Sequence, residues 1–476
     1  MKKQRDFTSG KIFGPMFTFA LPIILTNLLQ TTYNIADNVV VGKFSGDTLA
    51  LAAVGTAGSI SAFVLNLVVG ISVGAGVVVS QAYGARDYEK VSRSVHTSLC
   101  FGLIFGLVVG MLAFVLAPYV LMWTGVKDEL LSRATLYLRI LFMAYPATAI
   151  YNFAASTLRS VGDSRTSLYI LASSGILNVA LNLVFVLFFH MSVDGVALAT
   201  AISKYVSAIV IMVVLCRRRG EVYAFSFSKA KISWEELLAM LRFGVPNSIQ
   251  NTMFNLSNIF FTAALNGLDT YVLSAKTIAM NLTGVANNFS SSYMNAMVTF
   301  SAQNYGAKKP QRIQKSLLIC VLQGAVITLS VGLMLFLLIH PISSLYIDST
   351  DVNRELIMRC VREIGLVTLP CYWLCSVMNA SSGALRGMGY SIIPMVNSIL
   401  GVCGFRLLWI FFAFPLEIFH SAEGIYLAFP FSWGLVVIAN FVCIFLVSGK
   451  VKAKLESERV AEELARQGTF AETKSA

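Results

Sequence analysis

Long apolar runs constrain this chain more than any other feature. A helix of about 20 residues crosses the hydrocarbon core of a bilayer, and the 476-residue sequence offers twelve runs of that kind. They lie near 14–40, 48–78, 94–117, 133–157, 166–190, 193–215, 237–264, 271–300, 316–340, 358–384, 392–414 and 424–447. Lipid gives no partner to an open backbone N–H or C=O, so each run must satisfy itself as a helix. Barrel strands would instead be about ten residues of alternating polarity. Composition agrees, because 56% of the residues are hydrophobic and 13% are charged, against about 25% charged in a soluble protein. The expected fold is an all-α integral membrane protein. The first run is too long for a signal-peptide core and no small-residue cleavage site follows it, so it is expected to persist.

Charge placement sets the expected orientation, since cytoplasmic loops carry the Lys and Arg excess. Alternate connections are basic: Lys2, Lys3, Arg5 and Lys11; Arg86, Lys90 and Arg93; Arg159 and Arg165; Arg217, Arg218, Arg219, Lys229 and Lys231; Lys308, Lys309, Arg312 and Lys315; Arg386; and Lys450, Lys452 and Lys454. The intervening ones hold Asp47, Asp128, Glu129, Asp194, Asp269, Asp348, Asp351, Glu417 and Glu423. A multi-pass protein of the inner cell membrane with both termini cytoplasmic is expected. The net charge of +12 is spread over loops at one face, so it reads as topology and contact with anionic lipid rather than as a nucleic acid footprint.

The chain also repeats itself. SQAYGARD at Ser80 returns as SAQNYGAKK at Ser301, FALPIILTN around Pro22 as FGVPNSIQN around Pro246, and Pro146 as Pro370. LRSVGDS from Leu158 returns as LRGMGYS, and DGVALA from Asp194 as EGIYLA. Two homologous six-helix bundles around a central cavity follow: residues 1–215, a basic linker at 216–236, 237–449, and a charged tail at 450–476. An even number of spans per half makes the repeats parallel, an architecture of secondary transporters that work by alternating access. Gln81 and Gln303 then mark equivalent helix ends, where Tyr-Gly stops a span and basic residues anchor it.

Taken together, LPIILTNLLQTTYNIADNVVVGKF, SQAYGARD, LRSVGDS, LNVALN and VDGVALATAIS, with their second-half partners, resemble the multidrug and toxic compound extrusion (MATE) family over about 14–447. The resemblance implies an antiporter that exports organic cations, drugs or toxic metabolites, in exchange for sodium ions or protons. The alternative is a flippase for lipids or lipid-linked oligosaccharides. That reading needs a cavity rich in basic residues, and only Lys204, Lys276 and Arg406 are on offer for one.

Gln30, Tyr33, Asn34 and Asp37 form one polar stripe on the first run. A carboxylate costs about 2.5–3.5 kcal/mol in a spanning helix, so it normally faces a cavity and has a function; an acid at the membrane interface is the plainer alternative. Asn178 and Asn182 share a face of the fifth run, and Thr200 lies in the sixth. Such oxygens suit a hard cation and equally suit a protonated carboxyl, while helix-to-helix bonding is a third role for the amides. The resemblance implies that Asp37, Asn178, Asn182, Thr200 and Tyr33 couple the ion, with no metal site beyond a sodium at Asp37. Some family members carry a second aspartate where this chain has Asn182, and some carry acids on the seventh and tenth helices, where this chain has none near Phe254 or Cys375.

In the second half Asn251, Asn255, Asn281, Asn288 and Asn379, with Gln30 and Asn34 in the first, are candidates to line a substrate cavity with Met and aromatic residues, which adapt to flat cations. Packing is the alternative at each position. Lys204, Lys276 and Arg406 are intramembrane charges of open role. The eight cysteines lie mostly in spans, and Cys371 and Cys375 lack zinc or redox spacing. With four histidines, no phosphate loop and no nucleophile elbow, no enzyme, cofactor or obligatory protein partner is expected.

Overall fold

Two of the apolar runs break beside a proline, while Pro22, Pro118 and Pro246 lie inside unbroken helices. In a computed structural model, which describes residues 6–44, 48–126, 128–347 and 352–475, the run expected at 133–157 is two helices, Asp128–Met143 and Tyr145–Ser160, with Pro146 in the first turn of the second piece. The run at 358–384 likewise parts around Pro370 into Arg354–Thr368 and Tyr372–Gly387, which meet at 45°. Proline lacks the N–H and crowds the carbonyl four residues before it, and the repeat pair Pro146 and Pro370 lies at the breaks of the fourth and tenth spans. Lys2, Lys3, Arg5, Asp47, Asp348 and Asp351 lie outside the described residues.

Counting each broken pair once, the described residues form twelve helical spans and no strand. The first five are Phe13–Phe44, Thr48–Gly84, Tyr88–Trp123, the broken fourth, and Arg165–Leu183 continued by a π-helix at Val184–Phe188; Val193–Arg217 is the sixth. Trp234–Leu265, Thr270–Gly306, Pro310–Leu337, the broken tenth, Ile392–Ala413 and Ala422–Glu458 make the second set. Eight of the described helices are long and apolar enough to cross a membrane unaided, and the bent tenth pair is a ninth. The fourth, seventh and eighth spans are more polar.

The chain forms two compact units. The first comprises Phe17–Val79 and Tyr88–Leu256, and the second Asp6–Met16, Ser80–Asp87 and the residues from Ser257 on. In the first, Val41, Leu121, Leu138 and Phe142 belong to one core; in the second, Phe261, Leu265, Ile364 and Tyr426 do. Linker residues are pinned inside the first unit. Arg218 pairs with Asp163 at 2.8 Å, the Ser226 amide donates to His96 Nε2 at 3.0 Å, and Ser94 donates to the buried Glu236 at 3.1 Å.

The Gln-x-Tyr-Gly repeat makes a reciprocal crossing in the second unit. Gly84 lies on the Gln303 carbonyl and Gly306 on the Gln81 carbonyl; a Cβ at either glycine would stand 1.9 Å from that oxygen. Gln81 Nε2 donates to the Gly387 carbonyl at 2.9 Å, and Gln303 Oε1 accepts from the Phe7 amide at 3.2 Å. The two motifs thus do more than end helices: glycine lets the backbones touch, and glutamine ties each end down.

A strap at residues 6–12 closes over this crossing. Phe7 is buried and stacks on Phe300 at 4.0 Å. Arg312 donates to the carbonyls of Phe7 (2.9 Å), Ser9 (2.7 Å) and Gly10 (2.9 Å), and Lys309 to that of Thr8 at 2.8 Å. Burial acts to raise the Asp6 carboxyl, but hydrogen bonds from Thr8, then Arg86 and Lys309, outweigh it and hold the group below its usual range. The stability this contributes is present above the ordinary carboxylate pKa and is lost as pH falls through the depressed value. Arg312→Ala removes donors to three carbonyls, and we expect amide exchange across the strap to quicken roughly tenfold; unchanged exchange would show that the clasp carries no stability.

Arg386, expected in a basic connection, is instead inside the unit: 2% exposed, with Nη1 3.1 Å from Met294 Sδ. The helix continues past 384, the expected end of the span, to Gly387 and takes the side chain in with it.

Candidate functional site

The fifth span carries Asn178 and Asn182 four residues apart, hence on one face, and both are buried. That face meets the first and sixth spans. Asn182 Nδ2 donates to Oδ1 of Asp37, and Thr200 Oγ1 donates to the other oxygen at 3.4 Å. Asn178 Nδ2 completes the chain by donating to Thr200 Oγ1 at 3.2 Å. Asp37 itself is 8% exposed. Asn182 Oδ1 is buried beside it with no hydrogen-bond partner among the described residues. The π-helical turn Val184–Phe188 follows at once, a distortion frequent at functional sites.

Lys204, one turn beyond Thr200, lies within electrostatic reach of Asp37, and its Nζ is 5.9 Å from the centre of the Tyr145 ring. Tyr137 of the fourth span, buried, also lies within electrostatic reach of Asp37. No periodic signal pointed to Tyr137, because the fourth span reads as a mixed polar and apolar helix.

Tyr33 is one turn before Asp37. Its hydroxyl donates to the Ala172 carbonyl at 3.2 Å, and its ring lies on Gly175, where a Cβ would stand 1.8 Å from Cζ. Gly175 is thus a positioning residue that the sequence reading missed; a lone glycine in a helix gives no sign of what covers it. In Gly175→Ala the Tyr33 ring must move off the fifth span. Overpacking of this kind costs about 1–3 kcal/mol, and we expect the half-saturating ion concentration for transport to rise about tenfold. A wild-type value would show that Tyr33 does not set the position of Asp37.

The remaining candidates are divided. Gln30 and Asn34 are exposed and Asn251 and Asn255 half-buried, all in the first unit. Asn281 is exposed and Asn288 half-buried in the second unit. There Asn379 Nδ2 donates to Ser290 Oγ at 2.7 Å and approaches Cys375 Sγ at 3.7 Å. Lys276 Nζ donates to Thr262 Oγ1 at 2.6 Å. Arg406 is buried, with its guanidinium carbon 3.7 Å above the centre of the Phe429 ring. Groups of three or more His, Cys, Asp or Glu able to hold a metal ion are absent among the described residues.

Comparison with known proteins adds the following. The family model described as MatE matches residues 22–184 and 246–412, one match in each half. The probable multidrug resistance protein YoeA of Bacillus subtilis is 26% identical over 443 residues, covering 90% of this chain and 93% of that protein. The multidrug export protein MepA of Staphylococcus saprophyticus is 23% identical, covering 84% and 90%. Among solved structures, MATE in complex with MaL6 superposes with a TM-score of 0.86 at 20% identity, over 95% of this chain and all of that one. An outward-facing multidrug resistance MATE transporter of the MOP superfamily gives 0.85 at 20% identity, again over 95% of this chain.

Proposed function

Because this chain belongs to the MatE family, we propose that it is a multidrug efflux transporter that exports organic cations in exchange for sodium ions or protons by alternating access, with Asp37 as the coupling carboxylate. It would sit in the inner cell membrane with both termini cytoplasmic. The observation that carries the reading is the buried set in which Asp37 takes donors from Asn182 and Thr200 while Asn182 Oδ1 stays unpartnered beside it. A buried acceptor left open costs about 1–3 kcal/mol. A hard cation uses carboxylate, amide and hydroxyl oxygens, and a proton on the carboxyl makes it a donor to the open oxygen.

Exchange requires that ion and substrate bias the two access states in opposite senses. An ion or proton neutralises Asp37, which removes the attraction for an organic cation; the first span, held to the fifth at Tyr33 and Gly175, then repacks. Return to the inward state releases the ion and readmits substrate.

The test is efflux of a fluorescent organic cation from proteoliposomes under a sodium gradient and a proton gradient imposed separately. Efflux under one gradient establishes antiport and names the ion. Silence under both, with lipid-linked substrates translocated instead, would replace this reading with the flippase.

A further inference from the structure

The linker between the two halves forms an arch pinned at both ends to the third span. His96 Nε2 accepts from the Ser226 amide and Thr97 Oγ1 from the Ser233 amide, each at 3.0 Å. Adjacent residues of one helix thus hold both feet of the segment, and residues 227–231 between them are exposed. The inner side of the arch is packed: Tyr223 is buried, and the Phe225 ring stacks on His96 at 5.0 Å. The outer side carries Lys229, Lys231 and Phe227, which is 77% exposed. Trp234, 74% exposed, follows as the first residue of the seventh span.

Charge and apolar surface coincide there. Of the three acids in the linker, Glu236 is buried and accepts from Ser94 at 3.1 Å. Arg218 is spent on Asp163 at 2.8 Å. What remains toward solvent is Arg217, Arg219, Lys229 and Lys231 against Glu221 and Glu235, a net positive surface. Water alone would satisfy the cations. The two uncovered rings beside them suit a membrane interface, where aromatic side chains gather at headgroup level.

Trp234 sets the depth of this surface. Leu238, Val245 and Ile249 follow it at helical spacing, four, seven and four residues apart, and all are exposed, so they form one apolar stripe. Asn247 lies on the opposite side of the helix and donates to the Gly70 carbonyl of the second span at 3.2 Å. The stripe is therefore the unpacked side of a spanning helix, and Trp234 stands at its end.

We propose that the arch is a docking surface for anionic phospholipid. Lys229 and Lys231 draw a headgroup of net negative charge, and Phe227 and Trp234 seat beside it at the boundary with the acyl chains. Loop charge alone would attract such lipid anywhere along the basic face; the pinned backbone and the two rings fix one place. The surface is read from the first unit alone and depends on neither a substrate nor a coupling ion.

The test is quenching of Trp234 fluorescence in nanodisc bilayers of phosphatidylcholine, in which a minor share is dibrominated phosphatidylglycerol or, for comparison, dibrominated phosphatidylcholine. The difference between wild type and W234F isolates this residue among the five tryptophans. A lysine near an anionic surface is worth roughly fivefold in attraction, and we expect the brominated phosphatidylglycerol to quench Trp234 about fivefold or more above the phosphatidylcholine at equal share. In K229Q/K231Q the two lipids should quench alike. Quenching by neither lipid would place the arch in water and overturn the proposal. Equal quenching in wild type would reduce it to apolar contact without choice of headgroup, and a preference that survives K229Q/K231Q would take the headgroup away from these lysines; either result overturns it. Efflux plays no part in the readout, so failure of the antiport reading would leave this result standing.

Discussion

Asp37→Asn loses gradient-driven efflux while the protein remains folded, and the expected loss is about a hundredfold, near the upper end of coupling energies of ~1–3 kcal/mol. Asparagine keeps the size of the side chain and one oxygen, so Asn182 and Thr200 retain a neighbour. What vanishes is the charge that an ion or proton cancels in the proposed exchange. The variant should still bind the cationic dye, though more weakly, and should no longer respond to either gradient. Efflux at the wild-type rate would remove Asp37 from the coupling mechanism, and unaltered binding together with lost efflux would place it in the ion step alone. Lys204→Met, which removes the neighbouring charge, serves as the companion variant: it should shift the ion dependence without abolishing it.

Gly306→Ala and Gly84→Ala should each destabilise the protein by about 1–3 kcal/mol or more, the range for overpacking a filled site. The new methyl would meet a backbone carbonyl at 1.9 Å in both cases, and a backbone has no rotamer with which to step aside. Gly434→Ala is the control, since nothing lies within 4 Å of a Cβ there and alanine favours a helix by about 1 kcal/mol over glycine. Thermal unfolding in detergent gives the comparison directly. A Gly306→Ala protein as stable as the Gly434→Ala protein would mean that the second and eighth spans do not cross at their ends in the folded molecule.

Much of this protein is legible in one dimension. In lipid each span must satisfy its own backbone, a local demand that leaves an unbroken apolar run in the sequence. The twelve spans and the repeat follow from residues near one another in the chain; the breaks of the fourth and tenth spans do not, since Pro22 and Pro246 lie inside unbroken helices while Pro146 and Pro370 lie at breaks. Asp37 stands out for the same reason, as an acid in a run that otherwise has none.

Which side chains meet is a different question, because helices rotate and cross at little cost and the outcome rests on close packing. Nothing in the sequence says that Asn182 and Thr200 take the two oxygens of Asp37, that Lys204 faces it, or that Gly175 receives the Tyr33 ring. Nor does it say that Gly84 and Gly306 lie on each other's motif, or that Arg386 is drawn inside with the end of its helix. The sequence by itself determined a twelve-span helical membrane protein built from two like halves, since span formation is settled within each helix. Only the tertiary structure decided that one half gathers oxygens around an acid and the other gathers aromatic rings around Arg406, since those contacts depend on the rotation and depth of helices far apart in the chain.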